Sequence, residues 1–150
     1  MQAEILELKI DKFTFRVRRG LWYTETGAWA EVDARAGLAR VGLSEFRQQS
    51  SGDIAFAEVF PAGIHVAQGE EMASLETVKV DVGVVSPVTG VIQEVNPALA
   101  DAPECINQDP YGAGWLATIR LERWDSDRTR LLDADAYFAI MKAQAEAAAA

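Results

Sequence analysis

A mainly β fold, a sandwich or barrel with short helices and one C-terminal helix, is predicted by three features of the sequence. Short apolar runs at 38–43, 54–59, 72–78, 80–85, 91–95 and 115–121 are punctuated by glycines, from Gly20 and Gly27 through Gly69, Gly83 and Gly90, at the spacing of all-β folds. From Lys12 to Arg18 the chain alternates strictly, with Phe13, Phe15 and Val17 on one side and Lys12, Thr14, Arg16 and Arg18 on the other. That is the pattern of a half-buried strand. Helical spacing is confined to two places.

Taken in order, the strand at 12–18 comes first. Ser44 is a natural N-cap for a short helix over 45–49, which Ser51-Gly52 ends. The apolar runs from 54 to 95 and at 115–121 follow as strands. Near the C-terminus Asp133 can cap a helix that places Tyr137, Ile140 and Met141 at i, i+3 and i+4, and alanine continues it by propensity. The final run 147–150 has nothing to pack against and is expected to fray. Phe13, Phe15, Trp22, Trp29, Phe46, Phe56, Phe60 and Trp115 read as core.

At 150 residues the chain suits one domain, since a fold of this size buries roughly 70% of the surface its unfolded chain exposes. Hydrophobic residues make up 49% and charged residues 25%, too apolar for disorder. With 23 Asp+Glu against 14 Lys+Arg, the formal charge of −9 disfavours nucleic acid and anionic lipid and suits basic protein partners. One cysteine, Cys105, and one histidine, His65, exclude a disulfide framework and a Cys/His zinc site, so no metal is expected. Cys105 reads as a small buried filler and His65 as a surface residue. The N-terminus lacks both a basic-then-apolar signal and an Arg-rich transit pattern, which makes the cytoplasm the default location, and no apolar run reaches the length of a membrane span.

The stretch that carries chemistry is 69–90, where two apolar strands meet at Lys79. A lysine at a hairpin tip projects its amine into solvent, where a modifying enzyme can reach it and an attached group can swing freely. The hairpin alone fits an ordinary solvated lysine equally well.

The wider pattern resembles the glycine-cleavage H-protein family. Gly69 lies ten residues before Lys79, Glu76 three before and Gly90 eleven after, and the family's Glu-Ser-Val-Lys stands here as Glu76-Thr77-Val78-Lys79. The segment from Ser86-Pro87-Val88-Thr89-Gly90 to Val95-Asn96 is similar to the family's second hairpin strand. Asp109-Pro110-Tyr111-Gly112-Ala113-Gly114-Trp115 resembles its Asp-Pro-Tyr-Gly-x-Gly-Trp loop, the most specific of the three signals. With Trp22-Tyr23-Thr24, Trp29, Val41-Gly42-Leu43 and Gly52-Asp53-Ile54, the likeness spans roughly residues 13–142, which is also the expected core.

The resemblance implies a hybrid barrel-sandwich of the lipoyl/biotinyl type and a lipoyl group joined by an amide to Lys79. Lysine stem and lipoyl chain together reach roughly 15 Å. It further implies a non-catalytic carrier that shuttles an aminomethyl group between glycine decarboxylase, aminomethyltransferase and dihydrolipoyl dehydrogenase, after a lipoate ligase or lipoyl transferase has loaded the lysine. Glu76 is then either a plain strand-face carboxylate or part of what that loading enzyme recognises. Gly69 and Gly90 would support the hairpin by turn geometry, because glycine tolerates positive φ.

Two departures stand out. The family's His-Glu-Trp is Gly27-Ala28-Trp29, and its small residue and Ser-Asp after the lysine become Val80-Asp81-Val82-Gly83. They keep open a second reading, a lipoyl carrier of the same family serving another system such as a heterodisulfide-reductase-like complex in sulfur oxidation. A biotinyl carrier shares the hairpin, but such domains flank their lysine with methionines where Val78 and Val80 stand here. No nucleophile–base pair, phosphate loop or metal cluster suggests an enzyme.

Overall fold

The computed structural model describes residues 4–149. Eleven strands form three sheets among these residues: β1 (Ile5–Ile10) with β2 (Phe13–Arg18); a six-stranded sheet; and a three-stranded sheet. The six-stranded sheet runs β3 (Trp22–Tyr23), β4 (Ala28–Asp33), β5 (Leu38–Leu43), β11 (Ala117–Leu121), β10 (Gly90–Val95) and β7 (His65–Val66). The third sheet runs β6 (Ile54–Val59), β8 (Glu71–Thr77), β9 (Asp81–Val85). Every pairing is antiparallel. Helices α1 (Glu45–Ser51), α2 (Cys105–Gln108), α3 (Trp124–Asp127) and α4 (Ala134–Ala149) complete the fold. None is long and apolar enough to cross a membrane.

Both helix starts follow the sequence reading. Ser44 accepts a hydrogen bond from the Arg47 amide through its Oγ at 3.2 Å, and Asp133 accepts one from the Ala136 amide at 2.8 Å, each satisfying a free donor of the first turn.

Two apolar clusters form the interior. The larger lies between the six- and three-stranded sheets and is aliphatic, with Val41, Leu43, Met72, Leu75, Ile92, Ile106, Leu116 and Ile119 almost fully buried. The other is aromatic: Phe15, Tyr23, Trp29 and Tyr137 pack with Met141 beneath β1 and β2, and Tyr23 stacks on Tyr137 with ring centroids 4.6 Å apart.

The aromatic set expected in the core needs correction. Phe15 and Trp29 are buried and Trp22, Phe46 and Trp115 partly so, but Phe13, Phe56 and Phe60 are exposed, Phe56 at 54%. A bulge explains Phe56. Ile54 pairs with Thr77 but Phe56 with Glu76, so one extra residue in β6 breaks the alternation and turns Phe56 outward. The packed unit also exceeds 13–142 at both ends. Leu6, Leu8 and Ile10 of β1 pack on the aromatic cluster, and Glu7 and Lys9 between them are exposed, the same alternation as in β2. At the other end α4 runs through Ala149 and Ala145 is buried in the aromatic cluster, while 146–149 are exposed. Ala150 lies outside the described residues.

Candidate functional site

Alternation in β9 buries Val82 and Val84 and leaves Asp81 outside; in β8 an irregularity between Glu71 and Ala73 breaks the phase, so that Met72, Ala73 and Leu75 are buried and Glu76 is exposed, and the pair forms a hairpin with one face on the core. Glu76 lies opposite Asp81, and the four residues beyond them make the tip. Two-residue hairpin loops ordinarily need positive φ. Neither Val78 nor Lys79 has it, as expected at Val78 because a β-branched residue resists that region.

Thr77 resolves the conflict. Its amide donates to the Val80 carbonyl at 2.9 Å, its Oγ1 donates to the same carbonyl at 2.9 Å, and Oγ1 accepts from the Lys79 and Val80 amides at 3.2 and 3.1 Å. A side-chain hydroxyl thus closes a turn the backbone alone closes poorly. The sequence reading quoted Thr77 only as a variant of the family's serine. The signal available was chemical, since serine and threonine share the hydroxyl.

Lys79 is exposed at this tip, between Val78 at 93% exposure and Val80 at 54%. It forms no ion pair among the described residues. Its amine is therefore open to acylation and is not tied to a carboxylate, although Glu76 and Asp81 flank the turn.

The base of the hairpin is built differently. Gly69 has φ +90° in the turn before β8, where its amide donates to the Ser86 carbonyl at 2.8 Å, so the expected positive-φ role holds there. Gly90 does not share it. It sits in β10 between Leu121 of β11 and Val66 of β7, and a Cβ there would run into the Arg120 carbonyl. Its requirement is close approach of backbones, not turn geometry.

Next to it, Asp127, buried at 3% exposure, accepts from the Thr89 amide at 2.6 Å and from Thr89 Oγ1 at 3.3 Å. Gln68 donates to the carbonyls of Asp127 and Pro87 at 2.9 and 3.0 Å. Nothing in the sequence links residues 68, 89 and 127. These contacts lock the second arm of the hairpin to the body of the fold.

The stretch from Asn107, in α2, through the loop to Leu116 bears on β6, the strand paired with β8. Asn107 accepts from the Ile54 amide at 2.8 Å and donates to Gln48 and to the Gly52 carbonyl. Ile54 is the residue paired with Thr77, so this loop braces the strand on which the tip turn closes. The Pro110 carbonyl accepts from Trp29 Nε1 at 3.1 Å, and the Tyr111 hydroxyl donates to the Arg16 carbonyl at 2.7 Å. It is a turn with a structural task, as read. Cys105, partly buried at the start of α2, has its thiol pushed up by burial and then by Glu104, which makes it a poor nucleophile. His65 is exposed and meets Glu122 at 2.8 Å.

The two departures are also placed. Gly27 has φ +91°, and a Cβ there would stand about 3 Å from Arg47 Cβ, Ser44 Oγ and the Tyr137 hydroxyl. A Cβ on Gly83 would meet the Glu71 carboxylate. This chain therefore has no room for larger side chains at either position unless those neighbours move.

The profile of the family described as Glycine cleavage H-protein matches residues 21–144. A probable glycine cleavage system H protein of Pyrococcus abyssi is 39% identical over 128 residues, 85% of this chain and 94% of its own length. The glycine cleavage system H protein of Marinobacter nauticus is 43% identical over 117 residues, 78% of this chain and 88% of its own. A crystal structure of a glycine cleavage system H protein from Mycobacterium marinum superposes with a TM-score of 0.75 at 30% identity, covering 82% of this chain and 97% of that one. Its barrel-sandwich fold is the one described above. With the matched profile spanning the hairpin of Lys79, the bracing loop and most of α4, the chain belongs to the glycine cleavage H-protein family.

Proposed function

We propose that this protein is a non-catalytic lipoyl carrier of the glycine cleavage system, with the lipoyl group held as an amide on Lys79. The observation that carries this reading is the Lys79 tip: an exposed lysine without an ion pair among the described residues, set on a two-residue turn that Thr77 closes at the end of β8 and β9. The residues present fit the group. When attached, a lipoyl group supplies a dithiolane that exchanges with thiols and accepts a carbon fragment.

The chain's own part is positional. Lys79 offers the amine, Val78 and Val80 give no competing charge, and the rigid hairpin fixes the pivot. An arm of roughly 15 Å then sweeps a sphere outside the domain. Partners in this reading are glycine decarboxylase, aminomethyltransferase, dihydrolipoyl dehydrogenase, and the lipoate ligase or lipoyl transferase that loads Lys79. Glu76 serves the loading step by direct contact and Gly69 by the turn at the base of the hairpin, while Gly90 lets β10 lie close against β11 behind it.

The test is reconstitution. Acylated protein added to glycine decarboxylase should support glycine-dependent exchange of carbon dioxide, and the unacylated protein should not. A second reading is favoured by Gly27 and Gly83, where Tyr137, Ser44 and Glu71 fill space that larger side chains would need. It is a lipoyl carrier of the same family serving another redox system. Acylated protein inert with glycine decarboxylase but reduced through its dithiolane by a heterodisulfide-reductase-like complex would select that reading.

A further inference from the structure

The charge of this molecule is unevenly spread. Residues 53–104 hold nine of the 23 carboxylates but only one of the 14 Lys and Arg, Lys79 itself. Almost all the net negative charge therefore sits on the part of the chain that presents the lysine. In the same part lies an open groove of about 880 Å³ between β6 and the segment 97–104, with Val59, Val95 and Leu99 on its walls and Glu58, Asp101 and Glu104 at its rim. β6 has a ladder partner on one side only, so its outer edge faces the groove with unpaired backbone groups. Phe56, turned outward by the bulge, is a large exposed apolar side chain at its mouth.

We propose that this groove is the docking seat of the enzyme that acylates Lys79, and that it receives an extended basic segment of that enzyme carrying an apolar side chain beside Phe56. The proposal rests on the reading of Lys79 as the acylated residue and adds where the acylating enzyme holds on. Reach decides among the candidate partners. An unmodified lysine extends only about 6 Å from its backbone, so an enzyme that acts on it must close on the hairpin and the sheet around it. Enzymes that act on the finished arm work roughly 15 Å away and need no such contact.

The groove is near enough. Phe56 is opposite Glu76, three residues before Lys79, which by strand rise is about 10 Å from the tip. Charge complementarity selects a basic segment, because the groove rim offers carboxylates and no cation of its own. A free strand edge beside an open groove suits an extended chain.

The experiment measures steady-state acylation of the whole protein by a purified lipoate ligase with lipoate supplied, reading KM and kcat for the protein substrate. Asp101→Lys combined with Glu104→Lys, and separately Phe56→Ser, should raise KM about tenfold with kcat unchanged. Glu146→Lys, a single reversal of the same kind on the exposed face of α4, should leave both constants where they were, and Asp101→Lys alone, matched to it in charge, should still raise KM. Unfolding midpoints close to that of the unaltered protein would show that the variants fold. A KM within twofold of the unaltered protein's in both groove variants would overturn the docking seat while leaving acylation of Lys79 intact. Failure of the unaltered protein to be acylated at Lys79 would instead overturn the functional reading, and this proposal with it.

Discussion

The aromatic cluster beneath β1 and β2 and the tip of the β8–β9 hairpin are built on opposite principles. In the first, Trp29 is buried to 1% exposure, donates to the Leu43 and Pro110 carbonyls at 2.8 and 3.1 Å, and lies against Gly42, where no side chain would fit. In the second, Val78 is 93% exposed and the order comes from one hydroxyl and a few backbone bonds. One region spends large side chains on rigidity, and the other keeps its residues out of any packing so that Lys79 is free. The lesson is that Lys79 is positioned by the strands beneath it and not by contacts of its own.

The sharpest way to break that comparison is to truncate one side chain in each region. Trp29→Ala should cost about 3–5 kcal/mol, the range for a buried aromatic residue. Val78→Ala should change stability by less than about 0.5 kcal/mol. Denaturant titration of both variants measures the contrast, and similar losses would mean that the tip is packed after all.

In a Cys105→Ala background, which removes the one thiol that burial also pushes up, alkaline pH probes the aromatic region. Burial pushes the phenols of Tyr23, Tyr111 and Tyr137 above the usual tyrosine range. Their folded pKa values exceed the unfolded ones, so the unfolded chain releases protons first. Stability should be flat below pH ~10 and fall as pH rises beyond it. Thermal midpoints across that range, with tyrosinate absorbance at 295 nm, would check the sign.

At the tip the expected effects are smaller. Thr77→Ala removes the acceptor of the Lys79 and Val80 amides and should cost about 1 kcal/mol. Both amides should exchange faster with solvent, and Thr77→Ser should restore protection. Smaller still is the effect of salt. Because the charges around Lys79 are exposed, raising ionic strength should slow acylation and transfer by a few fold, and rates that stay constant would count against electrostatic docking.

How much of this was legible in the sequence follows the same division. Elements governed by local pattern were readable: the alternation of 12–18, the Ser44 and Asp133 caps, the apolar runs of β5, β6 and β8 to β11, and the lysine between two of them. Features set by long-range register were not. The bulge that exposes Phe56 depends on pairing with β8, and the reason for Gly90 is a carbonyl on β11. Asp127 reaches Thr89 across 38 positions, and no spacing rule announces it. The short strands β3 and β7 have two residues each, too few for a period to show. Of the named site residues, Lys79 and Gly69 sit as the motif suggested, Gly90 serves a different end, and Thr77 emerged only from its hydrogen bonds.

The most direct test of the central claim is intact mass, followed by peptide mapping, of this protein produced with a lipoylating system and lipoate supplied. The account predicts one lipoyl-sized adduct, on the peptide containing Lys79, and its absence in Lys79→Arg. An unmodified Lys79 in the unaltered protein, or an adduct that persists in Lys79→Arg, would contradict it.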